Sequence, residues 1–308
     1  MVLFNYFVMC LIFGTTFLAI KIGVDAGAPP FFSAGSRFFI AGAILFLWMK
    51  WRKKTEWRLL LRKEMLISGL ALTFGTFSTL YWAEQYVSSG IAGVLSATGP
   101  LMIMLWQVIL FRQKVPLVAA VGGLIGFCGV VILLLPTLYL EVSGLWLAGC
   151  LLILAGEVSY SGGALYSKRV IQRFSDTSPI ALNAAQMMYG GALLFVLSSF
   201  TEKVDIETFV QPAAWGSLLY LTVAGSMIGH TLFYWLVSKT NPVFPSTWLY
   251  ISPLIALCLG AAVYNEEVTW ISVAGGITII AGIILVNADA IKSMLSRGKL
   301  SLKAKKSA

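Results

Sequence analysis

Charge is what this sequence has least of. Only 11% of its 308 residues are charged, against about 25% in a typical soluble domain, while 58% are apolar. A water-facing exterior needs more polar cover than that, so a soluble globule of this size is excluded. One histidine and thirteen acids leave little for a membrane-embedded enzyme, the rival class, which needs an acid cluster, metal-ligating side chains or a nucleophile beside a base. The four cysteines, Cys10, Cys128, Cys150 and Cys258, lack metal-ligand spacing and sit in apolar surroundings, as small buried hydrophobes do. No phosphate-binding glycine loop ending in Lys-Ser/Thr is present, so direct drive by ATP is not expected. These shortages predict a chain that is not an enzyme and takes no cofactor or metal.

What is present is a series of apolar runs, at 3–24, 30–50, 65–86, 90–111, 116–136, 143–167, 178–200, 214–237, 243–264 and 269–289. Each is close to the ~20 residues a helix needs to cross the hydrocarbon core. They are too long and too continuous for the alternation of a barrel strand. The first run has no basic leader ahead of it and reads as a span, not a removed signal. The basic residues fix an orientation. With the N-terminus in the cytoplasm, nineteen of the 22 Lys and Arg fall in inside segments, chiefly Lys50 to Lys63, Lys168 to Arg173 and the tail beyond 290. Lys21 and Lys203 fall outside, and Arg37 lies within a span. Positive residues favour the cytoplasmic side, so the sequence predicts a multi-pass cytoplasmic-membrane protein with both termini inside. The net charge of +9 then serves topology and contact with anionic lipid headgroups, and no nucleic-acid partner is expected.

The chain also repeats. Shifted by 153 residues, 81–135 lies on 234–288 without a gap, with eight identities in 55 positions. Tyr81-Trp82 meets Tyr234-Trp235, Pro100-Leu101 meets Pro253-Leu254, Gly122-Gly123 meets Gly275-Gly276, and Gly129 meets Gly282. Further forward, after small indels, Lys21 aligns with Lys168, Arg37 with Gln186 and Gly42 with Gly191. The units are 3–136 and 143–289, each with five spans, followed by a basic cytoplasmic tail at 290–308. Five is odd, so the units must face opposite ways across the membrane. The expected fold is all-α, with ten transmembrane helices as two inverted repeats around a central cavity, a secondary-transporter design whose site lies near the midplane.

The stretch Phe13-Gly14-Thr15-Thr16-Phe17-Leu18-Ala19-Ile20-Lys21, then Pro29-Pro30, then Ser36-Arg37-Phe38, resembles the opening of EamA-type members of the drug/metabolite transporter superfamily. Pro253, Glu266, Gly275-Gly276 and Gly282 resemble its close. The resemblance covers 3–289. It implies ten helices in two five-helix repeats and secondary transport, usually export of amino acids, metabolites or drugs. One departure stands out: Arg112-Gln113-Lys114 occupies the place where the family often has a glutamate matching Glu266.

Several residues are candidates for the site. Arg37 lies about 10 Å inside its span, where an ionised group is costly unless paired or wetted. It either attracts a substrate anion or braces its helix. Glu157 is mid-span and either exchanges a proton or bonds a neighbouring helix. His230 has the same two readings, proton carrier or substrate ligand against a satisfied core residue. Tyr160 sits in the polar, aromatic stretch Ser159 to Tyr166, which suits a cavity wall or small-residue packing. Gln186, with Asn183 and Gln107, bonds other helices or the substrate. Trp248 and Tyr250 are placed to stack on a solute. Trp82 and Trp235 read as interface anchors. Lys21, four residues before Asp25, forms an interfacial pair or a gate charge. Pro100 and Pro253 free the carbonyls of Ser96 and Leu249 and are matched hinge candidates. Gly122-x-x-x-Gly126 permits close approach, either within the bundle or to a second copy.

The expected function is secondary active transport of a small organic solute, exported by alternating access, with protons as a coupling ion resting on Glu157 and His230. The rival within transport is a passive facilitator or exchanger of a small anionic metabolite.

Overall fold

The structure is a computed structural model that describes residues 1–110, 112–135, 143–204, 211–255 and 269–288. Among the described residues every regular element is helical. Eight helices are long and apolar enough to cross a membrane: α1 Val2–Asp25, α2 Pro30–Trp51, α3 Lys63–Ala83, α4 Ser89–Ile109, α5 Leu117–Leu134, α6 Gly144–Arg173, α7 Pro179–Thr201 and α8 Pro212–Lys239. Two shorter apolar helices follow, α9 Val243–Ile255 and α10 Trp270–Val286. The rest of the span expected at 243–264, with Cys258, Glu266 and the tail at 290–308, lies outside the described residues. The α6 helix runs six residues beyond its apolar run. Lys168, Arg169 and Gln172 are good helix formers, and Arg173 at the end pairs with Glu64 of α3 at 2.9 Å.

The helix starts follow local chemistry. Pro30, Pro179 and Pro212 occupy first-turn positions, where a missing N–H costs nothing. Glu202 accepts from the N–H groups of Phe31 and Phe32 at 2.7 and 2.9 Å, placing an anion at the N-terminus of α2. Ser88 and Thr269 cap α4 and α10 with their side chains.

Glycines set the two closest crossings. The Gly122 Cα faces Gly282 and Leu285 of α10, and the Gly129 Cα faces Gly275 and Ile279. As numbering rises in α5 it falls in α10, so the pair is antiparallel. Likewise Gly35 faces Gly191, and Gly42 faces Ala184 and Met188, so α2 and α7 are antiparallel. In both crossings, where two residues meet, their counterparts under the repeat meet as well, the signature of a two-fold axis. Two further interfaces are related the same way, α1 on α8 and α6 on α3. The Gly122–Gly126 face is therefore covered from within the chain, by α10 and by the Tyr250 ring.

Irregularities repeat as well. A π-helical turn occupies Gly69–Gly75 in α3 and another Leu221–Gly229 in α8, a shift of 153 residues at the core of each. Three residues before each matched proline the backbone makes an i−3 bond: Ala97 N–H to Val94 O at 3.2 Å, shared with an i−4 bond to Gly93 O at 3.0 Å, and Tyr250 N–H to Thr247 O at 3.0 Å. Pro100 and Pro253 thus each lie just beyond a break in their helix, as loss of the proline N–H allows.

Candidate functional site

A buried cavity sits where the two halves of the chain meet. Its walls come from α1 (Phe13, Thr16, Phe17), α2 (Arg37), α3 (Leu72, Thr76, Phe77, Leu80), α4 (Ser96), α6 (Glu157, Tyr160), α8 (His230, Phe233) and α9 (Trp248, Leu249). Water centres reach about 50 Å³ of it. At about 10–15 Å³ for one water, that is room for a few waters and too little for a metabolite.

Arg37 forms one wall. It is 1% exposed and does not snorkel. Its Nε donates to Ser226 Oγ of α8 at 3.1 Å and its Nη1 to Tyr81 Oη of α3 at 3.0 Å. Its guanidinium lies 4.3 Å from the Phe38 ring centroid and 4.9 Å from that of Phe77. Two neutral partners and two ring faces orient it without cancelling its charge. No carboxylate lies within ion-pair distance among the described residues.

Glu157 faces it from α6. Its carboxyl shares the cavity wall with Ser96, and Oε2 has no partner among the described residues. The α4 break brings Gly99 under this carboxyl, and Gly99 O accepts from Ser161 Oγ at 3.2 Å. Tyr160 Oη donates to Ser246 Oγ at 3.0 Å, tying α6 to α9. Aromatic rings make up much of the remaining lining. The Trp248 ring is 4.7 Å from Phe13 and 6.0 Å from Phe17, centroid to centroid, and its Nε1 has no hydrogen-bond partner among the described residues. His230 sits among Phe13, Phe38 and Phe77 at 5.2, 5.3 and 5.8 Å.

Five sequence candidates therefore share one cavity: Arg37, Glu157, Tyr160, His230 and Trp248. Two others lie elsewhere. Gln186 Oε1 accepts from Thr73 Oγ1 at 2.8 Å, and its Nε2 donates to Asn183 at 3.1 Å, so it joins helices. Tyr250 Oη donates to Gly123 O of α5 at 3.1 Å, in a separate apolar cluster. Lys21 pairs with Asp25 at 2.7 Å and also donates to Glu84 O at 3.1 Å. Pro100 and Pro253 are buried next to the cavity wall. Two residues were missed. Tyr81, matched with Tyr234 in the repeat, is 2% exposed and holds Arg37. Glu84 is fully buried, and only its mismatch with Val237 in the repeat could have flagged it.

Apolar helices of membrane-crossing length around a buried polar and aromatic cavity are the build of a multi-pass membrane transporter. The comparisons agree. The EamA-like transporter family matches residues 1–135 and 147–288. The inner membrane transporter YedA of Escherichia coli K12 is 31% identical over 291 residues, covering 91% of this chain and 88% of its own. The transporter YoaV of Bacillus subtilis 168 is 26% identical, covering 89% and 92%. Protein PagO of Salmonella typhimurium LT2 is 27% identical, covering 91% and 90%. A solved crystal structure aligns with a TM-score of 0.73 at 18% identity, over 92% of this chain and 96% of that one. This chain belongs to the EamA-like transporter family.

Proposed function

We propose that the protein is a secondary active transporter that exports a small organic solute across the cytoplasmic membrane by alternating access. The halves at 3–136 and 143–289 form ten crossings, α9 and α10 being the ninth and tenth, with both termini in the cytoplasm. The observation that carries this reading is the cavity at the seam, with uncompensated Arg37 on one wall, Glu157 on another and aromatic rings in much of the remaining lining. Such a lining suits a solute with a carboxylate, a cationic or donor group and an apolar or planar body, such as an amino acid. Arg37 is the one cation in the lining among the described residues, which fits a singly anionic or zwitterionic solute better than a phosphate ester. The antiparallel pairing of α2 with α7 and α5 with α10 supplies two equivalent ways to open, one toward each side.

Counterflow into proteoliposomes loaded with unlabelled amino acids and metabolites tests this. At least one labelled solute should accumulate in exchange for its unlabelled form. Binding of a solute by the purified protein without any counterflow would point to a receptor instead.

A further inference from the structure

The two lysines matched by the repeat do the same thing in the two halves. Lys21 Nζ of α1 donates to Glu84 O, the carbonyl just past the C-terminus of α3. Lys168 Nζ of α6 donates at 2.9 Å to Val237 O, in the last turn of α8. Glu84 and Val237 are themselves counterparts under the 153-residue shift. Each lysine also takes a second acceptor, Asp25 Oδ1 for Lys21 and Thr240 O for Lys168. A cation on the carbonyl end of a helix is a favourable cap, so each lysine fastens the first helix of its half to the third. Opposed halves put these two fastenings at opposite ends of the molecule.

They differ in one respect. The Lys168 latch has only carbonyl partners, since Gln172 and Val237 stand where the first half has Asp25 and Glu84. The Lys21 latch carries two carboxyls for one ammonium. Asp25 takes the ammonium and is 57% exposed at its side chain. Glu84 is 0% exposed, and neither carboxyl oxygen has a hydrogen-bond partner among the described residues. It also caps the negative end of the α3 dipole, where a carboxylate is unwelcome. In such a place an ionised carboxyl with no partner costs far more than a protonated one. The charged and titratable groups around it are few. Lys21 and Asp25 come from α1, Arg37 from α2 and Tyr81 from α3 itself. The α6 helix packs there through Gly149 beside Cys150, and the nearby parts of α4 and α8 add no charged side chain.

We propose that Glu84 is a proton-operated latch that ties opening of the Lys21 end to the pH on that side. It holds a proton while the Lys21 end is shut. When that end opens, water reaches it, the proton passes to that water, and the carboxylate takes the Lys21 ammonium from the Glu84 carbonyl. Closure reverses each step: the carboxylate regains a proton from water and Lys21 returns to the carbonyl. Because that carbonyl and that carboxyl belong to one residue, the ammonium moves only a short way, and the latch and the proton site are one device. This rests on the alternating-access reading and on the Lys21 end facing outward. The proton leaves to and returns from the same side, so the latch sets the pH dependence of opening and carries no proton across the membrane.

The test needs no solute. Thr76 lines the cavity and becomes the reporter as Thr76→Cys, with native cysteines replaced, in the full chain in right-side-out and inside-out vesicles. A membrane-impermeant thiol reagent measures access from each side across a pH series, with Glu84→Gln carrying the same cysteine as reference for the thiol's own pH response. The ratio of reference-corrected rates from the Lys21 side should rise up to about ten-fold per pH unit through the transition, as a one-proton step requires. Asp25→Asn should keep that rise. A ratio flat with pH, or a rise lost in Asp25→Asn as well, would overturn the assignment. Should Glu84→Gln not fold, Glu84→Met carrying the same cysteine serves as the reference, because it too has no proton to release. A pH-dependent ratio in a protein that shows no counterflow of any solute would uphold Glu84 and sink the transporter reading. Counterflow with a flat ratio would do the reverse.

Discussion

Arg37 and Gln186 are counterparts in the two halves, and each reaches into the other half's π-helical turn. Arg37 Nε donates to Ser226 at 3.1 Å, and Gln186 Oε1 accepts from Thr73 at 2.8 Å. Thr73 and Ser226 are themselves matched by the 153-residue shift. The seam is thus crossed twice by one kind of bridge, charged in the first instance and neutral in the second. That difference puts the cavity's positive charge on one wall only.

The neutral bridge is separable from the solute, because Gln186 does not line the cavity. Thr73→Val leaves the Gln186 carbonyl oxygen unpaired in a buried site and should cost about 1–2 kcal/mol of stability. Thermal unfolding in detergent should register this as a lower midpoint, while the solute affinity of the folded fraction stays within about two-fold of the parent, a difference of under ~0.5 kcal/mol.

Arg37→Lys keeps the charge and discards the fork that reaches Ser226 and Tyr81 together and the flat face that lies on Phe38 and Phe77. Transport should fall by at least about ten-fold, corresponding to ~1.4 kcal/mol, with Lys far closer to Gln than to Arg in a counterflow assay. Near-parental activity of the lysine variant would mean that charge alone suffices.

Gly99 lies directly under Glu157. A methyl group there would stand 2.5 Å from Glu157 Oε2 and 2.9 Å from a Leu249 methyl. Gly99→Ala should push the carboxyl out of place, raise the half-saturating solute concentration in counterflow, and destabilise by about 1–3 kcal/mol as overpacking does. Glu157→Gln, which keeps the volume, should lose transport without the loss of stability.

Gly282 has no room at all. A methyl group on it would run into the backbone of Gly126 and Gly122, which no side-chain adjustment relieves. Gly282→Leu should part α5 from α10 and abolish the folded monodisperse species on size exclusion. Gly216→Ala, with nothing within 4 Å, should leave it intact.

Much of this was legible before any coordinates. An arginine, a glutamate and a histidine inside apolar runs announce themselves by their cost in lipid, and all three line the cavity. Matched prolines announced the breaks in α4 and α9. The faces of the helices were harder to read. A helix in lipid is apolar all round, so no amphipathic stripe tells lining from packing, and Gln186 and Tyr250 were indistinguishable from Arg37 and Trp248 until placed. The π-helical turns carry no fixed residue signature. Glu84 was hidden by its address: an acid at the end of an apolar run ordinarily meets the headgroups, and here it is enclosed by packing from α1 and α6. The ends of α6 were legible only in part, because charged residues stop an apolar run without stopping a helix.

A cysteine at Leu72, on the cavity wall in the α3 π-helical turn, decides whether this cavity is open to each side in turn. In a cysteine-free chain it should react with a membrane-impermeant thiol reagent in both right-side-out and inside-out vesicles, and a carried solute should slow labelling from both sides. Labelling from one side only, or from neither under any condition, would contradict a carrier whose site lies at the seam of two opposed halves.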